Sequence, residues 1–268
     1  MRTQPIHHHR RARLAGLALV AAGATVAATA AIALGGGASQ GAGTGRLELD
    51  CPPMAKSRCS SGVSPDTTGH AVATSSVDPA PLVTWTDTVA QSPSCPTERF
   101  DEVIVRRWRA VDDAGNAAEC DQAIHVVKDE LLLDIKPTSC PNPLRVGSQG
   151  EGASVSMALV GRPGQPVADI VPGSIELWRE HCVAGPLAPL SVGLEDVVAP
   201  HAPTQRCECG TAGPDGVVDL RLSFSRQQMI DALLLAAIPN GSLVPLVVTG
   251  TLANGCRFRA GDCVLIRN

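Results

Sequence analysis

The sequence predicts an all-β chain made of two disulfide-bonded β-sandwich modules, and three observations carry that prediction. Short β-rich runs are separated by turn residues at intervals of about 8–12 positions. Aromatic residues make up only 2% of the chain, with no Tyr, so the cores must consist mainly of Val, Leu, Ile and Ala. Ten Cys all lie beyond residue 50, as expected of disulfide staples in an oxidising compartment.

A β-hairpin over residues 103–129 is the clearest single element. Ile104 and Trp108 fall on one face of the alternating pattern, and residues 113–116 supply a turn before the alternation resumes. Arg106 interrupts the apolar face, so we expect a bulge or an edge position there.

The amino-terminal residues 1–42 are predicted to be a secretory signal peptide. Residues 1–13 are basic, residues 14–34 form an uncharged apolar run, and small residues follow. An uncleaved membrane anchor is the alternative, because the apolar run is nearly long enough to span a bilayer. We therefore expect a secreted, cell-surface or periplasmic protein.

The charge balance limits the classes of partner that the protein can bind. The chain has 22 basic and 26 acidic residues, and four Arg but no acid lie in residues 1–42. The remainder thus has 18 basic and 26 acidic residues, a net charge of −8. This argues against nucleic acid and anionic membrane as partners. We expect an extracellular protein or glycan surface, with a membrane involved only if the amino-terminal apolar segment stays uncleaved.

The first predicted module, residues 46–129, resembles a known family. The similar pieces are Cys51-Pro52, residues 77–89, Cys95-Pro96, residues 107–110, Gly115-Asn116 and residues 120–122. They resemble the bacterial hyalin repeat, an immunoglobulin-like module of secreted and cell-surface proteins, over about residues 51–129. The resemblance implies a small immunoglobulin-like sandwich in a secreted or cell-surface protein.

The cysteines of the first module allow three pairings. Family members often have Cys at the positions of Val77 and Ala114, so the absence of both fits a lost disulfide. The cysteines that remain are Cys51, Cys59, Cys95 and Cys120. We favour Cys95 with Cys120, which would tie the central loop to the last strand.

The second predicted module, residues 130–268, follows with almost no linker. We expect strands at residues 153–160, 174–178, 216–224, 243–251 and 256–267. One short helix is predicted at about residues 226–237, capped by Ser225 with Gln228. Its apolar face would consist of Met229, Ile230, Leu233, Leu234 and Ala237.

This module resembles, over about residues 131–268, a β-module of unassigned function that recurs in secreted bacterial proteins. The similar pieces are residues 134–144, 172–177, 194–197 and 213–220. Six cysteines allow 15 pairings here: Cys140, Cys182, Cys207, Cys209, Cys256 and Cys263. We favour Cys256 with Cys263 across a hairpin, since Gly255 and Gly261 can turn the chain.

An acidic, glycine-containing loop is the best candidate for a metal site. Calcium requires several hard oxygen ligands, and a Gly turn allows closely spaced carboxylates to converge. The candidate ligands are Asp215, Asp219, Glu195, Asp196 and Asp134. A simple turn is the alternative for the Pro-Asp-Gly tripeptide. No other cofactor is predicted.

Known catalytic signatures are absent from the sequence, including the nucleophile elbow, the zinc-binding His-Glu-x-x-His and the phosphate-binding glycine loop. We therefore expect a non-catalytic structural or adhesion protein. A calcium-dependent ligand-binding protein, with glycans as one ligand class, is the first alternative. A hydrolase using His181 or His201 with an acid is the second.

Overall fold

The computed structural model describes residues 38–40, 45–147, 153–165, 167–200 and 207–268. Nearly all of the predicted signal peptide or anchor, residues 1–42, lies outside these ranges. Strands dominate the described part of the chain, so the all-β prediction is confirmed. No helix within it is both long and apolar enough to cross a bilayer.

The first module is a small two-layer sandwich. Its elements are β1 (Ala38–Gln40), β2 (Leu47–Asp50), β3 (Ala55–Arg58), α1 (Pro65–Thr68), β4 (Val72–Ser75), β5 (Leu82–Gln91), β6 (Phe100–Val111) and β7 (Ala117–Val127). The larger sheet has the order β1-β7-β6-β5, and β3 also pairs with β7, in parallel. The two-stranded β2–β4 sheet covers one face of it through Leu47 and Leu49, which pack against Trp108.

The predicted hairpin is confirmed as β6 and β7, which pair antiparallel along their whole length. The turn is held by the Asp112 carboxylate, which accepts hydrogen bonds from the Ala114 and Asn116 amides, and Gly115 has a φ of 81°. The expectation for Arg106 was wrong. β6 is a central strand between β5 and β7, its register is regular at Arg106, and the side chain is fully buried.

The described residues of the second module form nine strands. They are β8 (Asp129–Ile135), β9 (Pro143–Arg145), β10 (Ser154–Leu159), β11 (Glu176–Arg179), β12 (Ala184–Leu187), β13 (Ser191–Glu195), β14 (Asp219–Ser225), β15 (Leu243–Thr251) and β16 (Arg257–Arg267). The pairing order is β12-β11-β15-β16-β8-β10-β14-β13, with β9 beside β16. All five strand regions predicted for this module contain a strand.

β8 joins the two halves of the second module. One half contains β9, β11, β12, β15 and β16, and the other contains β10, β13 and β14. Residues 129–132 pair in parallel with β16, and residues 133–135 pair antiparallel with β10. Alternate residues from both halves, such as Leu133 and Leu246, belong to one buried apolar cluster. The two halves therefore enclose a single core.

The helix α2 (Arg226–Ala232) is shorter than predicted. Ser225 caps it as expected, because its hydroxyl accepts a hydrogen bond from the Gln228 amide. The helix ends where Leu234 adopts a left-handed conformation with φ 55°, and a 3-10 turn at Leu235–Ala237 follows. This reversal turns Leu235 into the core in place of the predicted Leu234, which is exposed like Ala237.

All ten cysteines form disulfides, but neither favoured pair is present. The five bridges are Cys51–Cys120, Cys59–Cys256, Cys95–Cys182, Cys140–Cys209 and Cys207–Cys263. Bridges that lie within single modules had been expected, whereas two of the five join the first module to the second.

The reason for both errors is strand length. Cys120 lies opposite Trp108 in the middle of the hairpin, whereas Cys95 precedes β6 at the end where Phe100 faces Val127. Seven residues of extended strand separate those two levels by about 23 Å. Cys256 directly precedes β16 and Cys263 lies within it, seven residues further on, and the strand does not turn at Gly261. A disulfide requires Cα atoms closer than about 7 Å.

The boundary predicted between residues 129 and 130 falls inside a strand. β7 ends at Val127 and β8 begins at Asp129, so a single residue, Lys128, separates the last strand of one sandwich from the first of the next. Both sandwiches belong to one compact unit, Gly35–Asn268.

Candidate functional site

Asp219, one of the five predicted calcium ligands, is fully buried and already satisfied by the backbone. Its Oδ1 accepts a hydrogen bond from the Gly161 amide at 2.8 Å. Its Oδ2 accepts from the amides of Val197 and Val198 at 2.9 and 3.0 Å. Three amide donors offset much of the desolvation of a carboxylate. Asp219 therefore ties the strand after the acidic loop to the segment before it.

The other acidic residues at this loop, Asp196, Asp215 and Glu195, are also engaged with protein groups. The Asp196 carboxylate accepts hydrogen bonds from the Asp215 and Gly216 amides at 3.1 and 2.7 Å. The Asp215 side chain accepts from the amide two residues further on, at 2.9 Å, which is an Asx turn. Glu195 forms an ion pair of 2.6 Å with Arg221 on the neighbouring strand β14.

Asp134, the fifth predicted ligand, is fully buried, and neither carboxylate oxygen has a hydrogen-bond partner. Burial raises its pKa from 3.8 to about 7, and the nearby carboxylates of Asp262 and Asp219 act in the same direction. The described residues contain no group of three or more His, Cys, Asp or Glu side chains that could hold a metal ion. The five predicted ligands therefore do not form a metal site among these residues. Each of the other four has at least one carboxylate oxygen that accepts from a backbone amide or pairs with Arg221.

The histidine-based alternative has one member in the described part of the chain, because His201 lies outside it. The His181 ring is exposed, with Nδ1 3.6 Å from Glu98 Oε1 and Nε2 4.0 Å from Glu180 Oε2. The Cys95–Cys182 bridge brings these groups together across the module boundary. Within the described residues, no hydroxyl group hydrogen-bonds to this ring, so a nucleophile–base pair is not formed there.

The most distinctive surface is the outer edge of β5. Within the described strands, β5 pairs only with β6, so one side of its backbone is free. Nine of its ten residues are exposed, including Leu82 at 67%, Trp85 at 45% and Val89 at 55% of their full surface. Asp87 is the single ionisable residue in the strand, and the strand has no Lys and no Pro. Protein sheets usually blunt such an edge with charges, prolines or a covering element.

A buried arginine on the neighbouring strand β6, Arg106, holds side chains of this edge strand in place. Arg106 Nε and Nη2 donate to the two carboxylate oxygens of Asp87, each at 2.8 Å, and the guanidinium also donates to the Thr68 hydroxyl and the Val63 carbonyl. The guanidinium carbon lies 4.4 Å from the ring centroid of Trp85, a cation–π contact. The bidentate pair fixes Asp87 and Trp85 on the otherwise exposed strand.

Sequence reasoning missed the role of Arg106, although the signal was present. An arginine at an inward position of an otherwise apolar β-strand indicates either a break in the strand or a buried ion pair. The partner, Asp87, lies 19 residues away and stands opposite Arg106 in the β5–β6 register. Only the pairing of the two strands reveals the second possibility.

The junction between the modules is held by disulfides and charges. Cys59–Cys256 and Cys95–Cys182 cross it. The ion pairs near it join Arg257 to Asp101 at 2.5 Å and Arg259 to Glu180 at 3.6 Å, the latter near His181. Lys128 is buried there and donates to the carbonyls of Glu98 and Phe100. Burial lowers the pKa of Lys128. These links fix how the two sandwiches are joined.

Ten cysteines in five disulfides define a disulfide-rich β-sandwich protein of an oxidising compartment, extracellular or periplasmic. No protein-family model matches the chain, and no curated protein matches it.

Two solved structures resemble the chain weakly. Protocadherin gamma B2 extracellular cadherin domains 3–6 gives a TM-score of 0.21 at 10% identity over 82% of this chain and 47% of that one. Domains 1–5 of the same protein give 0.19 at 11% identity over 83% and 39%. The chain thus spans less than half of either structure. At these TM-scores the likeness assigns no family and supports no functional argument.

Proposed function

We propose that this protein is a secreted or cell-surface, non-catalytic structural or adhesion protein that binds its partner through the free edge of β5. The observation that carries the proposal is a ten-residue edge strand that is exposed along nearly its whole length and has no lysine or proline blocker. Such an edge offers unpaired amides and carbonyls to an incoming strand, the mode of recognition known as β-strand addition.

The exposed strand is held in a form suited to binding. The Arg106–Asp87 pair and the stacking of Trp85 on the guanidinium fix side chains that would otherwise be mobile at a sheet edge. A preorganised edge loses less conformational entropy when a partner strand is added. The resemblance of residues 51–129 to the hyalin repeat, a module of secreted and surface proteins, supports the same function.

The rigid junction supports a structural component of this function. The two disulfides and the Arg257–Asp101 ion pair, which cross the boundary, resist bending between the sandwiches. A partner bound at β5 would therefore be held at a fixed distance from the far end of the second module, as a spacer requires.

Neither alternative function is favoured by a specific contact. Four of the five carboxylates in the calcium hypothesis accept hydrogen bonds from the backbone or pair with Arg221, and the fifth, Asp134, is fully buried. The hydrolase hypothesis relied on His181, whose ring faces Glu98 but no hydroxyl among the described residues. A hydrolase panel and a calcium titration of the purified protein test these hypotheses directly.

A binding assay on intact cells tests the proposed function. The fluorescently labelled protein, purified from an oxidising host, is titrated onto the cell surface and matrix of its source. Thr86→Lys places a charge in the middle of β5, and we expect it to abolish retention. Ser92→Lys adds the same charge just beyond the strand and should bind like the wild type. Equal retention of both variants, or no retention of the wild type, would refute the proposal.

A further inference from the structure

We infer that the strand added to β5 is β5 of a second copy of this chain, paired antiparallel about a twofold axis that passes between the two Thr86 residues. The inference rests on the proposed function, because it takes the β5 edge to be a binding surface and names what occupies it. A twofold axis perpendicular to a sheet makes two identical edges antiparallel and keeps their inner faces on the same side. The two five-stranded sheets would then form one continuous sheet.

The side chains of β5 are self-complementary in this register. With Thr86 opposite itself, Val83 lies opposite Val89 of the second copy and Thr84 lies opposite Thr88. Apolar and threonine pairs directly opposite each other stabilise antiparallel strands. Trp85 falls opposite Asp87, where the indole N–H can donate to a carboxylate.

Neighbouring registers are less favourable. Centring the axis on Asp87 would place two carboxylates opposite each other, and centring it on Trp85 would place Asp87 opposite Val83. Like charges that lie directly opposite destabilise a strand pair, and the register centred on Trp85 loses both the Val83–Val89 and the Trp85–Asp87 pairs. An axis that falls between two residues of the strand, such as Thr86 and Asp87, is excluded because facing side chains would then point to opposite faces of the sheet.

The charges around the edge permit close approach of two copies. The Asp87 carboxylate is neutralised by the guanidinium of Arg106 through two hydrogen bonds. On the opposite face of the sheet, Arg107 is paired with Asp121 at 2.9 Å and Arg109 with Glu119 at 3.1 Å. The charged side chains near the axis are therefore all paired within their own copy: Asp87 on β5, and Arg106, Arg107 and Arg109 on β6.

Sedimentation velocity over a concentration series tests the inference on the protein secreted from an oxidising host. We expect a monomer–dimer equilibrium in which Thr86→Lys, which sets two ammonium groups opposite each other, raises the dimer dissociation constant at least about tenfold. Ser92→Lys should leave the equilibrium unchanged. A monomer at every concentration, or a dimer that Thr86→Lys does not weaken, would overturn the inference.

A cysteine scan tests the register. Thr86→Cys should give a reducible dimer, because self-opposed residues have Cα atoms about 4.5–5.5 Å apart, within disulfide range. Thr84→Cys should not cross-link, since its two copies would be about 13 Å apart along the strands. Cross-linking at Thr84 alone would overturn the Thr86 axis. A monomer that still binds the cell surface through β5 would leave the proposed function standing and refute only self-pairing.

Discussion

Replacing Asp134 by asparagine removes the one buried carboxyl group whose two oxygens both lack a partner in the described part of the chain. Burial raises its folded-state pKa to about 7, whereas an ordinary aspartate has 3.8. Between these two pH values the folded protein holds a proton that the unfolded chain has released. The contribution of Asp134 to stability is therefore fully present below about pH 4 and is lost as pH rises through 7.

The gap between the two pKa values corresponds to about 4 kcal/mol of unfolding free energy. An asparagine side chain at this position would have no charge to gain, so the substitution removes this pH dependence. We expect Asp134→Asn to match the wild type within about 1 kcal/mol at pH 4 and to be more stable than it by up to about 4 kcal/mol at pH 8.

Urea unfolding under non-reducing conditions at several pH values measures the effect. The quantity to follow is the difference in unfolding free energy between Asp134→Asn and the wild type, in which the titration of groups that do not interact with Asp134 cancels. Asp113→Asn, the same change in an exposed turn, is the control for the substitution itself. A flat difference for Asp134→Asn would refute the reasoning that burial raises its pKa.

Three further predictions concern single interactions. Arg106→Met leaves Asp87 without its partner and should lower the unfolding free energy measured in urea by about 3 kcal/mol. Arg107→Met breaks an exposed pair and should lower it by less than about 1 kcal/mol. Equal losses would contradict the buried pairing. Replacing Cys59 and Cys256 together by Ser should lower stability by about 2–4 kcal/mol in thermal melts, with the other four bridges intact by mass mapping; an unchanged melt would show that this bridge adds nothing to stability. Ser225→Ala should cost about 1 kcal/mol through loss of the cap on α2, while Ser225→Asp should restore it; no loss in the alanine variant would mean that the cap is dispensable.

Much of the secondary structure could be predicted from local pattern. The alternation in β6 and β7 predicted the hairpin, and short β-rich runs predicted strands in all five regions named for the second module. The capping hydroxyl of Ser225 was predicted because it acts on an amide three residues away. Such signals depend on neighbours in sequence, so no long-range information is required.

The predicted calcium site depended on long-range information that local pattern lacks. Asp215 and Asp219 are close in sequence, but Asp219 turns into the interior toward the Gly161 amide, whereas Asp215 closes its own turn. The amide that satisfies a buried carboxylate can come from any segment of the chain. Spacing alone therefore cannot distinguish a metal ligand from a carboxylate held by the backbone.

The sequence by itself determined the all-β class, the positions of the main strands and, from an even count of ten cysteines, the oxidising compartment. The tertiary structure decided which cysteines pair and that two of the bridges join the modules. It also placed Arg106 in a central strand, next to the exposed edge strand β5. The physical reason is the reach of each interaction. Alternation and capping act over a few residues, whereas disulfides and buried ion pairs form only between groups that the folded chain brings within a few ångströms.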